Sequence, residues 1–140
     1  MTIKFIDLGL QQKRISKPIN SRISSILQAG SFIMGPEVIE LEDQLAKFVK
    51  TEHVATCGNG TDALLLSLMC INSGPGDAIF CPSFTFASTA EVIPCLGATP
   101  FFIDCEYDTF NISIESLKSS IIQAKKDGFN LKAIVSVDLF

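Results

Sequence analysis

The sequence of 140 residues lacks the features that mark several protein classes. No apolar run approaches the roughly 20 residues that a membrane-spanning helix needs. Its 11 lysines and arginines are scattered rather than clustered, and the formal net charge is −4, which argues against nucleic-acid binding. The beginning of the chain lacks the apolar core and cleavage site of a signal peptide. We therefore expect a cytoplasmic protein whose partners include neither nucleic acid nor a membrane.

Histidines and paired cysteines are also scarce. The single histidine, His53, supports neither a Ser-His-Asp nor a Cys-His arrangement, and no spacing fits a zinc site. The cysteines at positions 57, 70, 81, 95 and 105 form no C-x-x-C pair, and most lie in apolar runs. The sequence therefore predicts no metal site and buried, reduced thiols.

The most informative motif present is the glycine-rich turn at residues 57–62, Cys-Gly-Asn-Gly-Thr-Asp. It follows residues 54–56, which we predict as a buried strand, and it precedes an apolar run that we predict as a helix. Glycines 58 and 60 allow a ligand to approach the backbone, and the start of a helix offers free N–H groups. Thr61 adds a hydroxyl donor. The turn favours a bound anion, most often a phosphate, although an ordinary strand-to-helix turn has the same pattern.

From residue 52 onward, predicted strands and helices alternate as β-α-β-α-β-α-β. Strands are predicted at 54–56, 78–81, 101–104 and 132–139. Because they are continuous apolar runs, we expect an α/β fold with a parallel sheet buried on both faces. We assign residues 1–51 to an N-terminal helical segment and 52–140 to a partial α/β domain. Within the first segment, residues 1–17 are predicted irregular, and helices begin at Pro18 and at Gly35-Pro36.

Ligands of parallel sheets bind beyond the carboxyl ends of the strands, so the loops 57–62 and 82–86 should open on one side. There Phe86 can stack on a flat ligand, although a core position is the alternative for any of 11 phenylalanines. Asp138 follows the last predicted strand, where an active-site role and a turn-capping role are both open. No lysine falls in either loop, so the sequence shows a binding surface without a nucleophile or base. The chain stops as a predicted strand finishes, which indicates truncation.

Seven segments stand in an order that is typical of one protein family. They are Phe5-Ile6-Asp7-Leu8, Gly35-Pro36-Glu37-Val38, Asn59-Gly60-Thr61-Asp62-Ala63-Leu64, Gly74-Pro75-Gly76-Asp77, Pro82-Ser83-Phe84-Thr85-Phe86, Gly97-Ala98-Thr99-Pro100 and Val137-Asp138-Leu139-Phe140. Together they resemble the N-terminal third of the DegT/DnrJ/EryC1/StrS family of sugar aminotransferases, which use pyridoxal 5′-phosphate. The resemblance is greatest to members that act on UDP-linked 3-keto sugars, such as 3-oxo-glucuronate aminotransferases.

The resemblance implies a partial large domain of a fold-type I pyridoxal-phosphate transferase. It implies that Gly60, Thr61 and Asp62 hold the cofactor phosphate, with Asp62 acting through its backbone N–H, and that Phe86 stacks on the pyridine ring. The Schiff-base lysine and the aspartate that pairs with the pyridinium nitrogen are expected beyond residue 140, so the chain alone should be inactive.

For the intact protein, the resemblance implies a homodimer that moves an amino group from an amino acid to a nucleotide-linked keto sugar, in the biosynthesis of sugars or cell-surface polysaccharides. Two alternatives stay open: a sugar dehydratase of the same family, in which histidine replaces the lysine, and a non-catalytic remnant or binding module. A dinucleotide-binding domain is disfavoured because no G-x-G-x-x-G motif with a following acidic residue is present.

Overall fold

A computed structural model describes residues 5–139. These residues form two compact units, one ending at Thr56 and the other beginning at Cys57. The domain boundary predicted after residue 51 concerns the whole protein and stays a prediction. The elements are α1 (Leu8–Ala29), α2 (Pro36–Val49), α3 (Gly60–Cys70), β1 (Asp77–Pro82), α4 (Ser88–Cys95), β2 (Thr99–Ile103), α5 (Ile114–Lys126) and β3 (Asn130–Ile134).

The first helix is longer than the sequence predicts. α1 begins at Leu8 and continues through Pro18, so the prediction of an irregular chain is wrong for residues 8–17 and holds for residues 5–7. The first four positions of that predicted segment lie outside the described residues. Asp7 caps it, since its carboxylate accepts the N–H of Leu10 at 3.0 Å and satisfies a donor that the first turn leaves unpaired. Gly30 ends the helix in the left-handed conformation, with φ of 64°.

The second helix begins at Pro36, directly after its N-cap Gly35, as predicted. The helical spacing of Val38, Leu41, Leu45 and Phe48 predicts a buried face for this helix. Val38 is half-buried, but the other three are exposed, Leu41 at 48%, Leu45 at 37% and Phe48 at 83%. Neither α1 nor α2 contains a buried residue. The apolar spacing therefore identified the helix, while the part of the chain that the structure describes does not cover its apolar face.

An ion pair joins these two helices. The guanidinium group of Arg22 donates to both carboxylate oxygens of Glu40, at 2.6 and 2.9 Å. This hydrogen bonding lowers the pKa of Glu40 and raises the pKa of Arg22. Both side chains are largely exposed, so solvent screens the pair.

The strands of the second unit form a parallel three-stranded sheet in the order β2-β1-β3. The strand predicted at 54–56 is absent. Instead, the N–H and the hydroxyl of Thr56 both donate to the Glu42 carboxylate at 2.8 Å. The backbone N–H of Thr56 is therefore not available to a neighbouring strand. The last strand ends at Ile134, earlier than the predicted residue 139.

The core of this unit lies on the two faces of β1, which is buried along its whole length. Because side chains alternate along a strand, Ile79 and Cys81 pack with α3 and α4, whereas Ala78 and Phe80 pack with β2 and α5. The prediction of helices on both sides of a parallel sheet is confirmed. The prediction of complete burial holds for β1 alone, since β2 and β3 are only partly buried.

The cysteines are mostly at the surface, contrary to expectation. Only Cys81 is buried, and burial raises the pKa of its thiol. Cys57, Cys70 and Cys95 are exposed because they occupy a turn and the last residues of two helices. Within residues 5–139, no helix combines the length and the apolar character that crossing a membrane requires.

Candidate cofactor site

The glycine-rich turn leads into α3 through Asn59. This residue is the N-cap: its side-chain oxygen accepts the N–H of Asp62 at 2.9 Å, and its backbone carbonyl accepts the N–H of Ala63 at 3.1 Å. Asparagine is favoured at this position because it satisfies donors that the helix leaves unpaired. The turn therefore forms from the sequence Asn59-Gly60 itself, even though no strand precedes it.

Three donors remain unused at the start of α3. Among the described residues, nothing accepts the N–H groups of Gly60 and Thr61 or the hydroxyl of Thr61. All three groups belong to exposed residues at the positive end of the helix dipole. A Cβ placed on Gly60 would meet no atom within 4 Å, so there is open space beside the turn. The chemistry and the space both fit a phosphate group.

Asp62 is held away from the open side of the turn. Its carboxylate accepts a hydrogen bond from the side-chain amide of Asn59 at 3.0 Å and lies 3.0 Å from where a Cβ on Gly58 would stand. Its backbone N–H already donates to Asn59. The predicted role of that N–H in phosphate binding stays a prediction, and it requires Asn59 to release the bond.

Phe86 lies in the segment between β1 and α4 and is 77% exposed. It is therefore no core residue in the described part of the chain. Its carbonyl accepts the N–H of Thr89 at 3.0 Å, which ties the backbone of Phe86 to the first turn of α4. The exposed ring can offer its face to a planar ligand.

The two segments approach the same edge of the sheet. α3 and α4 pack against each other. A short turn joins the end of α3 at Cys70 to the start of β1 at Asp77, and Leu68 of α3 packs in the same apolar cluster as Ile79 of β1. Because this connection is short, α3 runs in the direction opposite to β1. The start of α3 therefore lies toward the carboxyl ends of the strands, where β1 leads into the segment that carries Phe86. The predicted arrangement of the two loops on one side of the sheet agrees with this geometry.

Three other acidic residues, the candidate Asp138 and also Asp7 and Asp104, have ordinary surroundings. Asp7 caps α1. The Asp104 carboxylate accepts the N–H of Cys105 at 2.9 Å, which is a turn-capping contact. Asp138 is exposed beyond the end of β3. In residues 5–139, no three acidic, cysteine or histidine side chains cluster in a way that could hold a metal ion.

Sequence reasoning missed two features of this site. The capping role of Asn59 had a local signal, an asparagine directly before an apolar helical run. The contact between the rings of Phe84 and Phe110, whose centroids are 5.5 Å apart, had no such signal because the residues are distant in sequence.

Comparison with known proteins gives a consistent result. The sequence profile of the DegT/DnrJ/EryC1/StrS aminotransferase family matches residues 13–140. The chain is 42% identical to the UDP-2-acetamido-2-deoxy-3-oxo-D-glucuronate aminotransferase of Pseudomonas aeruginosa, over 99% of this chain and 37% of that protein. The chain therefore spans little more than a third of that relative's length.

Solved structures show the same likeness. The crystal structure of a DegT DnrJ EryC1 StrS aminotransferase from Brucella abortus superposes with a TM-score of 0.93 at 46% identity, covering 99% of this chain and 37% of that one. A GDP-4-keto-6-deoxymannose-3-dehydratase with a trapped PLP-glutamate geminal diamine gives a TM-score of 0.74 at 28% identity, covering 86% and 31% of the two chains. The predicted α/β fold of a pyridoxal-phosphate transferase is confirmed.

Proposed function

Because this chain belongs to the DegT/DnrJ/EryC1/StrS aminotransferase family, we propose that the whole protein is an aminotransferase that converts a nucleotide-linked keto sugar to an amino sugar. The observation that carries the proposal is the set of unused donors at the start of α3, in a chain whose relatives are sugar aminotransferases. By its similarity to the Pseudomonas protein, we propose a UDP-linked 3-keto sugar as the substrate.

Pyridoxal 5′-phosphate, when bound, supplies the electron sink that amino-group transfer needs. The residues of this chain would hold and orient it. The N–H groups of Gly60 and Thr61 and the Thr61 hydroxyl would donate to the phosphate, and Phe86 would cover one face of the ring and exclude water. Asn59 keeps the Asp62 carboxylate turned toward Gly58, which limits its repulsion of the phosphate.

Further properties of the whole protein follow from the same proposal. Its partners would be an amino-acid donor and a second copy of the protein, and it would work in the cytoplasm in the biosynthesis of sugars or cell-surface polysaccharides. The described residues supply phosphate binding and ring stacking, so the group that handles the proton of the amino donor would come from another part of the protein. We place the large, cofactor-binding domain at residues 52–140 and onward.

A dehydratase is the second candidate, because one similar structure is a GDP-4-keto-6-deoxymannose-3-dehydratase. The two reactions have different products. An aminotransferase given glutamate and a UDP-linked 3-keto sugar should yield 2-oxoglutarate and an amino sugar in equal amounts, whereas a dehydratase should release water from the sugar without a stable amino product. Neither product at saturating substrate would contradict both functions and favour a non-catalytic binding module.

The site assignment is tested by cofactor affinity of the whole protein. Thr61→Ala removes a hydrogen bond to a charged group and should weaken cofactor binding about tenfold to a hundredfold. Phe86→Ala removes the stacking ring and should weaken it about threefold to tenfold. Equilibrium dialysis of the apoprotein against pyridoxal 5′-phosphate measures both changes.

Matched controls come from the first unit. Thr51→Ala and Phe48→Ala remove the same side-chain types from exposed positions and should leave the affinity unchanged. Unchanged affinity in both the Thr61 and the Phe86 variants would refute the assignment of the site.

A further inference from the structure

A second aromatic ring supports the segment that carries Phe86. Phe84, in the same segment, contacts Phe110, with ring centroids 5.5 Å apart and planes tilted by 42°. This distance lies within the range of attractive aromatic pairs. Phe110 belongs to a small hairpin-like loop, which is closed by an antiparallel bridge between Cys105 and Ile112.

Hydrogen bonds anchor the segment between β1 and α4 on either side of Phe84. The N–H of Ser83 donates to the carbonyl of Ile103 at 2.8 Å, and the hydroxyl groups of Thr85 and Thr89 are hydrogen-bonded at 2.9 Å. These bonds fix the two sides of Phe84 along the backbone. The ring contact with Phe110 adds a side-chain restraint at Phe84 itself, two residues from Phe86.

The backbone conformation of Phe110 indicates that its ring makes a stabilising contact. Its φ is 57°, a left-handed conformation that bulky side chains rarely adopt and that glycine adopts easily. Inside the loop, the N–H of Phe110 donates to the carbonyl of Glu106 at 2.9 Å. A residue in strained backbone persists where surrounding contacts compensate for the strain. Here the ring contact with Phe84 is such a compensating contact.

We propose that Phe110 is a positioning residue for Phe86. By packing on Phe84, it holds the segment 83–87 so that the exposed ring of Phe86 keeps one orientation before the cofactor arrives. This proposal rests on the proposed function, since it assumes that Phe86 stacks on the cofactor. Preorganisation of this kind raises affinity because less conformational entropy is lost on binding.

The test uses the whole protein with Phe110→Gly, which removes the ring and relieves the backbone strain at the same position. Cofactor affinity of the apoprotein should fall about threefold to tenfold, as expected for loss of an aromatic contact. The visible circular dichroism of the bound cofactor should also weaken, since that signal reports a fixed ring orientation. Phe110→Tyr keeps the ring and should restore both values.

A control lies in the same loop. Tyr107 is 91% exposed, and Tyr107→Ala should change neither the affinity nor the dichroism. If Phe110→Gly binds the cofactor as tightly and with the same dichroism as the unaltered protein, while Phe86→Ala is weakened, the positioning role is wrong and the proposed function stands. If Phe86→Ala itself has no effect, the proposed stacking fails independently of Phe110.

A second variant guards against a folding defect in Phe110→Gly. Phe84→Ala removes the other ring of the same contact and should lower the cofactor affinity by a similar factor. The double variant should be no weaker than either single variant, because both remove one interaction. Fully additive losses would overturn the proposal.

Discussion

The two compact units of this chain differ in what holds them together. In the unit that ends at Thr56, neither helix has a buried residue, and the side-chain contacts between α1 and α2 include the exposed Arg22–Glu40 pair. In the unit that begins at Cys57, β1 is buried along its whole length between two apolar clusters. Apolar periodicity therefore identifies the apolar face of a helix or strand, whereas the burial of that face depends on which other elements pack against it.

The polar contacts of the two units differ in the same way. Arg22 and Glu40 are 61% and 43% exposed, whereas the Asp77 side chain at the start of β1 is 11% exposed. Asp77 accepts hydrogen bonds from the side chain of Asn130 at 2.6 Å and the N–H of Gly74 at 3.0 Å, with Lys132 at 3.7 Å. It thereby joins the turn before β1 to β3.

The largest difference in stability between the two units is expected when an aromatic ring is removed from the core. Phe80 is 2% exposed, so Phe80→Ala should lower the free energy of unfolding by about 3–5 kcal/mol through lost apolar contact and a cavity. Phe48, which is 83% exposed, is the matched control, and Phe48→Ala should change it by less than about 0.5 kcal/mol. Urea denaturation of the chain measures both, and equal losses would contradict the difference between the units.

An intermediate effect is expected at Gly35, where the backbone of Ser31 leaves no room for a Cβ. A Cβ there would lie 2.5 Å from the carbonyl oxygen of Ser31, so Gly35→Ala forces the backbone apart. The cost should be about 1–3 kcal/mol, seen as a lower urea midpoint of the helical signal in circular dichroism. Gly74→Ala, whose nearest contact would be 3.9 Å away, should cost less. The reverse order would show that the start of α2 is not tightly packed.

The smallest expected effect concerns the polar contacts of Asp77 and is a change in how stability depends on pH. The hydrogen bond from Asn130, aided by the N–H of Gly74 and by Lys132, lowers the pKa of Asp77. A lowered pKa stabilises the fold at pH values above the ordinary range of a carboxyl group, and this contribution is lost as the pH falls through the lowered pKa.

Urea midpoints measured between about pH 7 and about pH 2 should therefore depend less on pH in Asp77→Asn than in the unaltered chain. Asn130→Ala, which removes the first donor, should reduce the dependence in the same direction. An identical pH dependence in all three proteins would show that Asp77 contributes no such stabilisation.

Local signals in the sequence were sufficient for much of the fold. The spacing of apolar residues predicted α2, α3, α4 and α5, and Gly35-Pro36 marked the start of α2 correctly. The errors arose where local signals compete. The proline at position 18 favours a helix start, but the helix continues through it and begins ten residues earlier, because Asp7 caps its first turn.

The strand predicted at 54–56 failed for a different reason. A strand needs a partner to accept its N–H groups, and in this structure Glu42 accepts the N–H of Thr56. This hydrogen bond involves a residue 14 positions away in sequence, so the pattern of residues 54–56 alone does not predict it. The same limit applies to Phe84 and Phe110, which only the folded loops bring together.

By itself, the sequence determined the glycine-rich turn, the helix that follows it and the order of the α/β elements, because these depend on short-range propensity and spacing. The exposure of Phe86 and the contact of Phe84 with Phe110, in contrast, follow from the tertiary structure alone. These features depend on contacts between segments that are distant in sequence. Such contacts follow from how the helices and loops pack around the sheet rather than from any one stretch of residues.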